Sequence, residues 1–173
     1  MITIIAGTNR KNSVTLKVAR YYEKLLNQRG ENCQVLDLAK LPKDFVFSSL
    51  YGEENLDFAQ ITEQFIFAPS KLVVVTPEYN GSFPGIMKSF IDGWNPKKVS
   101  GKWVALVGVS SGRQGNARGM DDLTNILNYL KINVIPVKPP LSQIFKLLNE
   151  EGDINDDGMN DLIRLQLDLL LEK

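Results

Sequence analysis

Histidine is absent from this chain, and cysteine occurs once, at Cys33. The first absence removes the usual general base, the Ser-His-Asp triad and the commonest metal ligand. The second excludes an intrachain disulfide, a C-x-x-C redox pair and a cysteine-rich zinc site, so any redox chemistry has to come from a bound cofactor and no metal site is expected. Net charge is absent too. Lysine plus arginine and aspartate plus glutamate both number 20, which leaves no field to draw in nucleic acid or an anionic membrane. No apolar run approaches the roughly 18 residues of a membrane span. The chain enters a strand pattern directly after Met1, without a basic or long apolar leader, which predicts a cytoplasmic protein. At 173 residues, one domain over 1–173 is expected.

What is present is a regular alternation. The apolar run Ile2 to Ala6 ends at Gly7, and a polar loop to Ser13 leads into a helical face of Leu16, Ala19, Tyr22 and Leu26, stopped by Gly30. A second strand is expected at Cys33 to Leu38, followed by an irregular excursion over 41–55, where Pro42 and Gly52 break periodicity. A helix over 56–68 precedes a valine-rich strand, Leu72 to Thr76, of the kind buried on both faces. Then come a helix from Ile86 to about Trp94, a strand Trp103 to Val109, and a helix from about Arg118 to Leu130. A last strand around Val134 to Val137 and a helix after Gly158 close the pattern. Five strands alternating with helices predict an α/β fold with a parallel sheet covered on both faces. In such sheets ligands sit outside the carboxyl ends of the strands, so the loops there are the place to look for chemistry.

The first loop, GTNRKNSVT, places Thr8, Arg10, Ser13 and Thr15 before a helix N-terminus, where unpaired N–H groups and the helix dipole favour a phosphate. Ser13 is equally suited to a plain helix cap, and Arg10 to a solvated loop charge. The position after the first strand favours the phosphate. The loop is neither a Walker A motif nor a G-x-G-x-x-G fingerprint, because Gly7 is its one glycine.

The second loop, TPEYNGSFPG, ends a strand at Pro77 and offers aromatic surface in Tyr79 and Phe83. Gly81 supplies a position without a side chain, and Asn80 supplies hydrogen-bonding groups for the polar edge of a flat ligand. A turn packed by its own aromatics accounts for the same residues equally well. The third loop, SSGRQGNARG, holds Ser110, Ser111, Gly112 and Gly115. Its Arg113 and Arg118 either attract nucleotide phosphates or are solvated, as exposed arginines usually are.

GTNRKNS followed by TPEYNGSFPGIMKSFIDGW resembles the paired motifs of the NADPH-dependent FMN reductase family, which includes quinone, azo-dye and chromate reductases. The resemblance implies a flavodoxin-like three-layer sandwich whose five-stranded parallel sheet has the order 2-1-3-4-5. It implies an FMN phosphate held by Thr8, Arg10, Ser13, Thr15 and Leu16, and an isoalloxazine held by Pro77, Glu78, Tyr79, Asn80, Gly81 and Ser82. Ser110, Ser111, Gly112 and Gly115 would close over the pyrimidine end. NADPH or NADH would serve as co-substrate in a ping-pong cycle, with hydride arriving at flavin N5 and passing to a quinone, an azo compound, free flavin or a similar small acceptor, so no catalytic side chain is required. The resemblance also implies a homodimer or homotetramer. Trp94, Trp103 and the aromatics between Phe45 and Phe58 are candidates for its contact surface, with burial in the monomer the competing expectation, for Trp103 above all. The alternatives are a flavodoxin-type carrier without NAD(P)H activity, which the zero net charge disfavours, and a cofactor-free interaction scaffold.

The run DINDDGMNDLIR imitates a calcium loop, with Asp153, Asn155, Asp157 and Gly158 in place. Its twelfth position, which requires glutamate, is Arg164. A polar turn capping the terminal helix is the expectation here.

Overall fold

A computed structural model describes residues 1–48, 50 and 55–173. The strands are β1 (Ile2–Ala6), β2 (Cys33–Asp37), β3 (Lys71–Pro77), β4 (Trp103–Val109), β5 (Asn133–Val134) and β6 (Pro140–Leu141). The helices are α1 (Val14–Gln28), α2 (Phe45–Ser48), α3 (Leu56–Thr62), α4 (Gly85–Asp92), α5 (Pro96–Val99), α6 (Ala117–Tyr129) and α7 (Asp157–Leu171). The sheet is parallel in the order β2-β1-β3-β4-β5, with β6 also beside β4.

Side-chain alternation along the strands explains the three layers. Val73, Val75, Ala105 and Val107 face the cluster formed with α1 and α7. Leu72, Val74, Val104 and Leu106 face the opposite cluster, which holds Phe58, Phe90 and Leu123 from α3, α4 and α6. Each central strand therefore needs apolar residues at every position, and that is why it reads as a continuous run in the sequence.

Local signals set the helix ends. The Ser13 hydroxyl accepts from the Leu16 N–H at 3.1 Å and starts α1. At the other end, Gly30 at φ 77° lets the N–H of Glu31 reach the carbonyl of Leu26 at 3.1 Å, a Schellman closure. Asp156 caps α7 through the Met159 N–H at 2.8 Å. The calcium-like run is thus a capping turn; Asp153 pairs with Lys24, and Arg164 pairs with Asp161 on its own helix.

Several expectations need correction. The excursion at 41–55 contains α2, whose Phe45 stacks on Phe58 at 5.0 Å; residues 49 and 51–54 of that stretch lie outside the described ones. Phe58 in turn meets Phe90 edge-on, and Phe90 meets Trp94. Phe45, Phe58 and Trp94 are therefore core residues rather than contact surface, although Phe47 is exposed. Trp103 is half-buried, with the Lys173 ammonium over its ring.

The last strand, expected at Val134 to Val137, is broken. β5 pairs with β4 through Asn133 and Val134, and pairing resumes at Pro140 and Leu141. Pro136, Pro139 and Pro140 have no N–H to donate, so an unbroken ladder cannot form. The buried Gln166 of α7 fills the gap, its amide donating to the carbonyls of Leu106 and Val137 at 2.8 and 2.7 Å. The helix over 56–68 also changes character, passing into a π-helical turn at Glu63–Phe67. Past that turn, the buried Lys102 ammonium donates to the carbonyls of Phe67 and Pro69, and burial lowers its pKa. No helix among the described residues is long and apolar enough to cross a membrane.

Candidate functional site

Because β1, β3 and β4 run parallel, the loops after Ala6, Pro77 and Val109 open on the same rim of the sheet. They meet around a cavity of about 120 Å³. From the first loop it is lined by Thr8, Arg10, Ser13, Val14 and Thr15, and from the second by Pro77, Glu78 and Tyr79. The third contributes Ser110 and Ser111 beside Val109.

Thr8, Ser13 and Thr15 are all buried, with their polar groups grouped at the N-terminus of α1. The N–H groups of Val14 and Thr15, in the first turn of that helix, have no intrahelical acceptor. The Thr8 hydroxyl also lies 2.9 Å from the phenolic oxygen of Tyr79, and it accepts from the N–H of Arg10 at 3.3 Å. The Arg10 guanidinium sits 5.6 Å from the centre of the Tyr79 ring. On the first-loop side of the cavity one cation, Arg10, and three hydroxyl side chains, Thr8, Ser13 and Thr15, thus stand together. Leu16 is half-buried and packs against the core, so what it brings to the rim is its backbone.

The second loop is a tight hairpin turn. Tyr79 and Ser82 exchange backbone hydrogen bonds at 2.8 and 3.1 Å, while Asn80 and Gly81 have φ of 51° and 80°. Positive φ at both central residues defines the type I′ turn, for which Asn-Gly is the favoured pair. A Cβ built on Gly81 would meet nothing within 4 Å, so the turn presents an open ledge. Asn80, Gly81 and Ser82 form this ledge beside the cavity rather than lining it, and the Ser82 hydroxyl reaches the Asp122 carboxylate at 2.6 Å.

Asn116 joins the third loop to the second. Nine-tenths and more buried, it lies at φ 60° and donates its amide to the carbonyls of Thr76 and Pro77 at 3.1 and 3.0 Å. Gly119, one turn along α6, is required for this approach: a Cβ there would lie 2.2 Å from the Asn116 amide oxygen and 2.8 Å from the Phe83 nitrogen. Within the loop, Ser110 Oγ accepts from the Gly115 N–H and donates to the Gly112 carbonyl, each at 2.9 Å. Gly112 is exposed, and Gly115 backs onto Pro140, outside the cavity lining. Arg113 and Arg118 are exposed.

Asn116, Ile144 and Phe145 were missed in the sequence. Asn116 occupies a left-handed position usually read as glycine. Ile144 and Phe145 line the cavity from the turn after β6, and no periodicity or motif marks them.

The sequence profile of the NADPH-dependent FMN reductase family matches residues 1–145. The chain belongs to that family. It is similar to an NAD(P)H-dependent FMN reductase of Pseudomonas aeruginosa, 32% identical over 153 residues, or 82% of this chain and 77% of the relative. A 2-hydroxy-1,4-benzoquinone reductase of a Burkholderia species is 29% identical over 135 residues, covering 76% and 72% of the two chains. Among solved structures, an NADH:FMN oxidoreductase in its apo form superposes with a TM-score of 0.81 at 20% identity, covering 99% of this chain and 88% of the other. As a member of the family, the chain is a flavodoxin-like oxidoreductase that depends on FMN and NAD(P)H and acts on small acceptors.

Proposed function

We propose that this single-domain FMN reductase holds the FMN phosphate in the first loop and the isoalloxazine on the second, with the third loop at the ring's pyrimidine end. The reading is carried by one observation: the three loops open on one rim, with the hydroxyl cradle next to a turn that is open above Gly81. The residues present fit the cofactor. The hydroxyls of Thr8, Ser13 and Thr15, the open N–H groups of α1 and the charge of Arg10 match a phosphate's acceptors. Pro77, Glu78 and Tyr79 form the wall between cradle and ledge, and Asn80, Gly81 and Ser82 carry main-chain groups toward a polar ring edge.

The chemistry FMN supplies is two-electron transfer from a reduced nicotinamide to an acceptor, taken in turn at one face. This chain's own work is to bind, orient and exclude water, and it needs no histidine for that. Ser111 stands where a donor would stabilise negative charge at the pyrimidine end, while Ser110, whose hydroxyl and N–H already donate to the carbonyls of Gly112 and Leu141, holds the third loop in shape. Quinones, azo compounds and free flavin are the acceptor classes this open ledge suits. A cytoplasmic setting fits a reductant of NAD(P)H and a lone thiol at Cys33. For a homodimer or homotetramer, the support is a groove of about 420 Å³ between α4 and α6, walled by Ile91, Ile126 and Leu130 beside the exposed Tyr129.

Titrating apoprotein with FMN, then adding NADPH without oxygen, tests the assignment. The expected result is flavin uptake, bleaching of the flavin band, and FMN affinity at least about tenfold weaker in the Arg10→Ala, Ser13→Ala double variant. Unchanged affinity in that variant refutes the phosphate assignment, and bound flavin that NADPH does not bleach refutes the reductase reading.

A further inference from the structure

The turn after β6 sets an aromatic ring at the mouth of the cavity where the three loops meet. Phe145 lines this cavity and is 70% exposed, while its neighbour Ile144 is 2% exposed. The backbone beneath is held firmly. The N–H of Gln143 donates to the Gly112 carbonyl at 2.7 Å, and that of Ile144 to the Ser110 carbonyl at 3.0 Å. Gln143 itself sits at φ 46° and ψ 45°, a left-handed conformation unfavourable to any residue with a Cβ. Strain, an apolar anchor and two bonds to the third loop thus hold an apolar ring toward water at the rim of a polar cavity.

The surroundings say which part of a ligand that ring meets. The cavity lining includes Thr8, Ser13 and Thr15 of the cradle together with Tyr79, Ser110 and Ser111, but none of Asn80, Gly81 and Ser82 of the ledge. Phe145 therefore shares its cavity with the phosphate cradle and not with the ledge. Resting on the FMN assignment above, we infer that Phe145 is a specificity-determining residue: its ring closes the phosphate end of the site, covering the ribityl phosphate of FMN and blocking the adenylyl extension of FAD. Two effects follow from one side chain. Excluding water strengthens the charge-assisted contacts to the phosphate, and a dinucleotide is rejected by obstruction rather than by missing contacts.

The test is fluorescence titration of apoprotein with FMN, FAD and riboflavin, together with the rate of FMN release, for the wild type, Phe145→Ala and Phe145→Leu. In Phe145→Ala, FMN release quickens about tenfold and the preference for FMN over FAD falls about tenfold, as expected for losing cover of one aromatic ring. Phe145→Leu lies between, and riboflavin, which lacks the phosphate, binds the wild type and Phe145→Ala alike. The apoprotein melting temperature stays unchanged because the ring is exposed. A wild type that binds FMN with a release rate and FMN-to-FAD preference matched by Phe145→Ala overturns the inference, and so does a lowered apoprotein melting temperature in that variant. A wild type that takes up no flavin fails the parent assignment, an outcome visible before any variant is made.

Discussion

The hydroxyl of Thr8 and the phenol of Tyr79 lie 2.9 Å apart, joining loops that are 71 residues apart in the chain. The bond ties the rim of β1 to that of β3 before any ligand arrives, and such pre-organisation spares a ligand the cost of ordering both loops. Tyr79→Phe removes the bond and keeps the ring under Arg10. A partly buried neutral hydrogen bond contributes about 0.5–1.5 kcal/mol, so the apoprotein melting temperature should fall by about 1–6 °C. Tyr79→Leu, which also loses the cation–π contact, should fall further. Equal melting temperatures for wild type and Tyr79→Phe in a calorimetric scan would show that the loops are not coupled through this bond.

Gly119→Ala reverses the usual rule for helices. Alanine in a helix interior is ordinarily favoured over glycine by about 1 kcal/mol. At position 119 the added methyl meets the backbone nitrogen of Phe83 at 2.8 Å and the Asn116 amide oxygen at 2.2 Å. The neighbouring backbone has little room to retreat, so overpacking should dominate and destabilise the fold by about 1–3 kcal/mol. Urea denaturation gives the sign directly; a variant as stable as the wild type, or more so, contradicts the close packing of α6 on the second loop.

Alkaline stability should depend on Tyr22. Its buried hydroxyl donates to Gln166 Oε1 at 3.0 Å, and burial, then the neighbouring Tyr21, raises its pKa well above 10.0. Folding therefore favours the protonated phenol. The stabilisation is complete below pH 10 and declines as pH rises above it, because only the unfolded chain then releases the proton, with a slope of up to about 1.4 kcal/mol per pH unit. Comparing urea midpoints at pH 8 and pH 11 for wild type and Tyr22→Phe isolates this group. The wild type should lose more between the two pH values than the variant does; parallel losses would assign the alkaline sensitivity to other groups.

Much of the architecture was legible because the central strands announce themselves. Leu72 to Val75 and Val104 to Val107 are apolar at every position since helices cover both faces, and Asn80-Gly81 names its own turn. The rim loops followed from the strand-helix alternation, and their individual residues from the two loop motifs and the family resemblance these carry. What stayed hidden depends on distant contacts. Phe45, Phe58, Phe90 and Trp94 form one run of rings from three separate segments, so no single spacing reveals it. Asn116 and Phe145 owe their places to bonds with Pro77 and Gly112, which no local pattern encodes. The fifth strand misled because Val134 to Val137 has strand-like residues, while the prolines and Gln166 decide how far they can pair.

That interrupted border has a consequence for the behaviour of the protein in a crowded solution. An intact outermost strand would expose a row of free amides and carbonyls on which another chain could build. Here each stretch of border is two residues long, prolines withhold donors, and a glutamine from inside occupies the carbonyls between. Growth of the sheet into a neighbouring molecule is thereby discouraged on that flank.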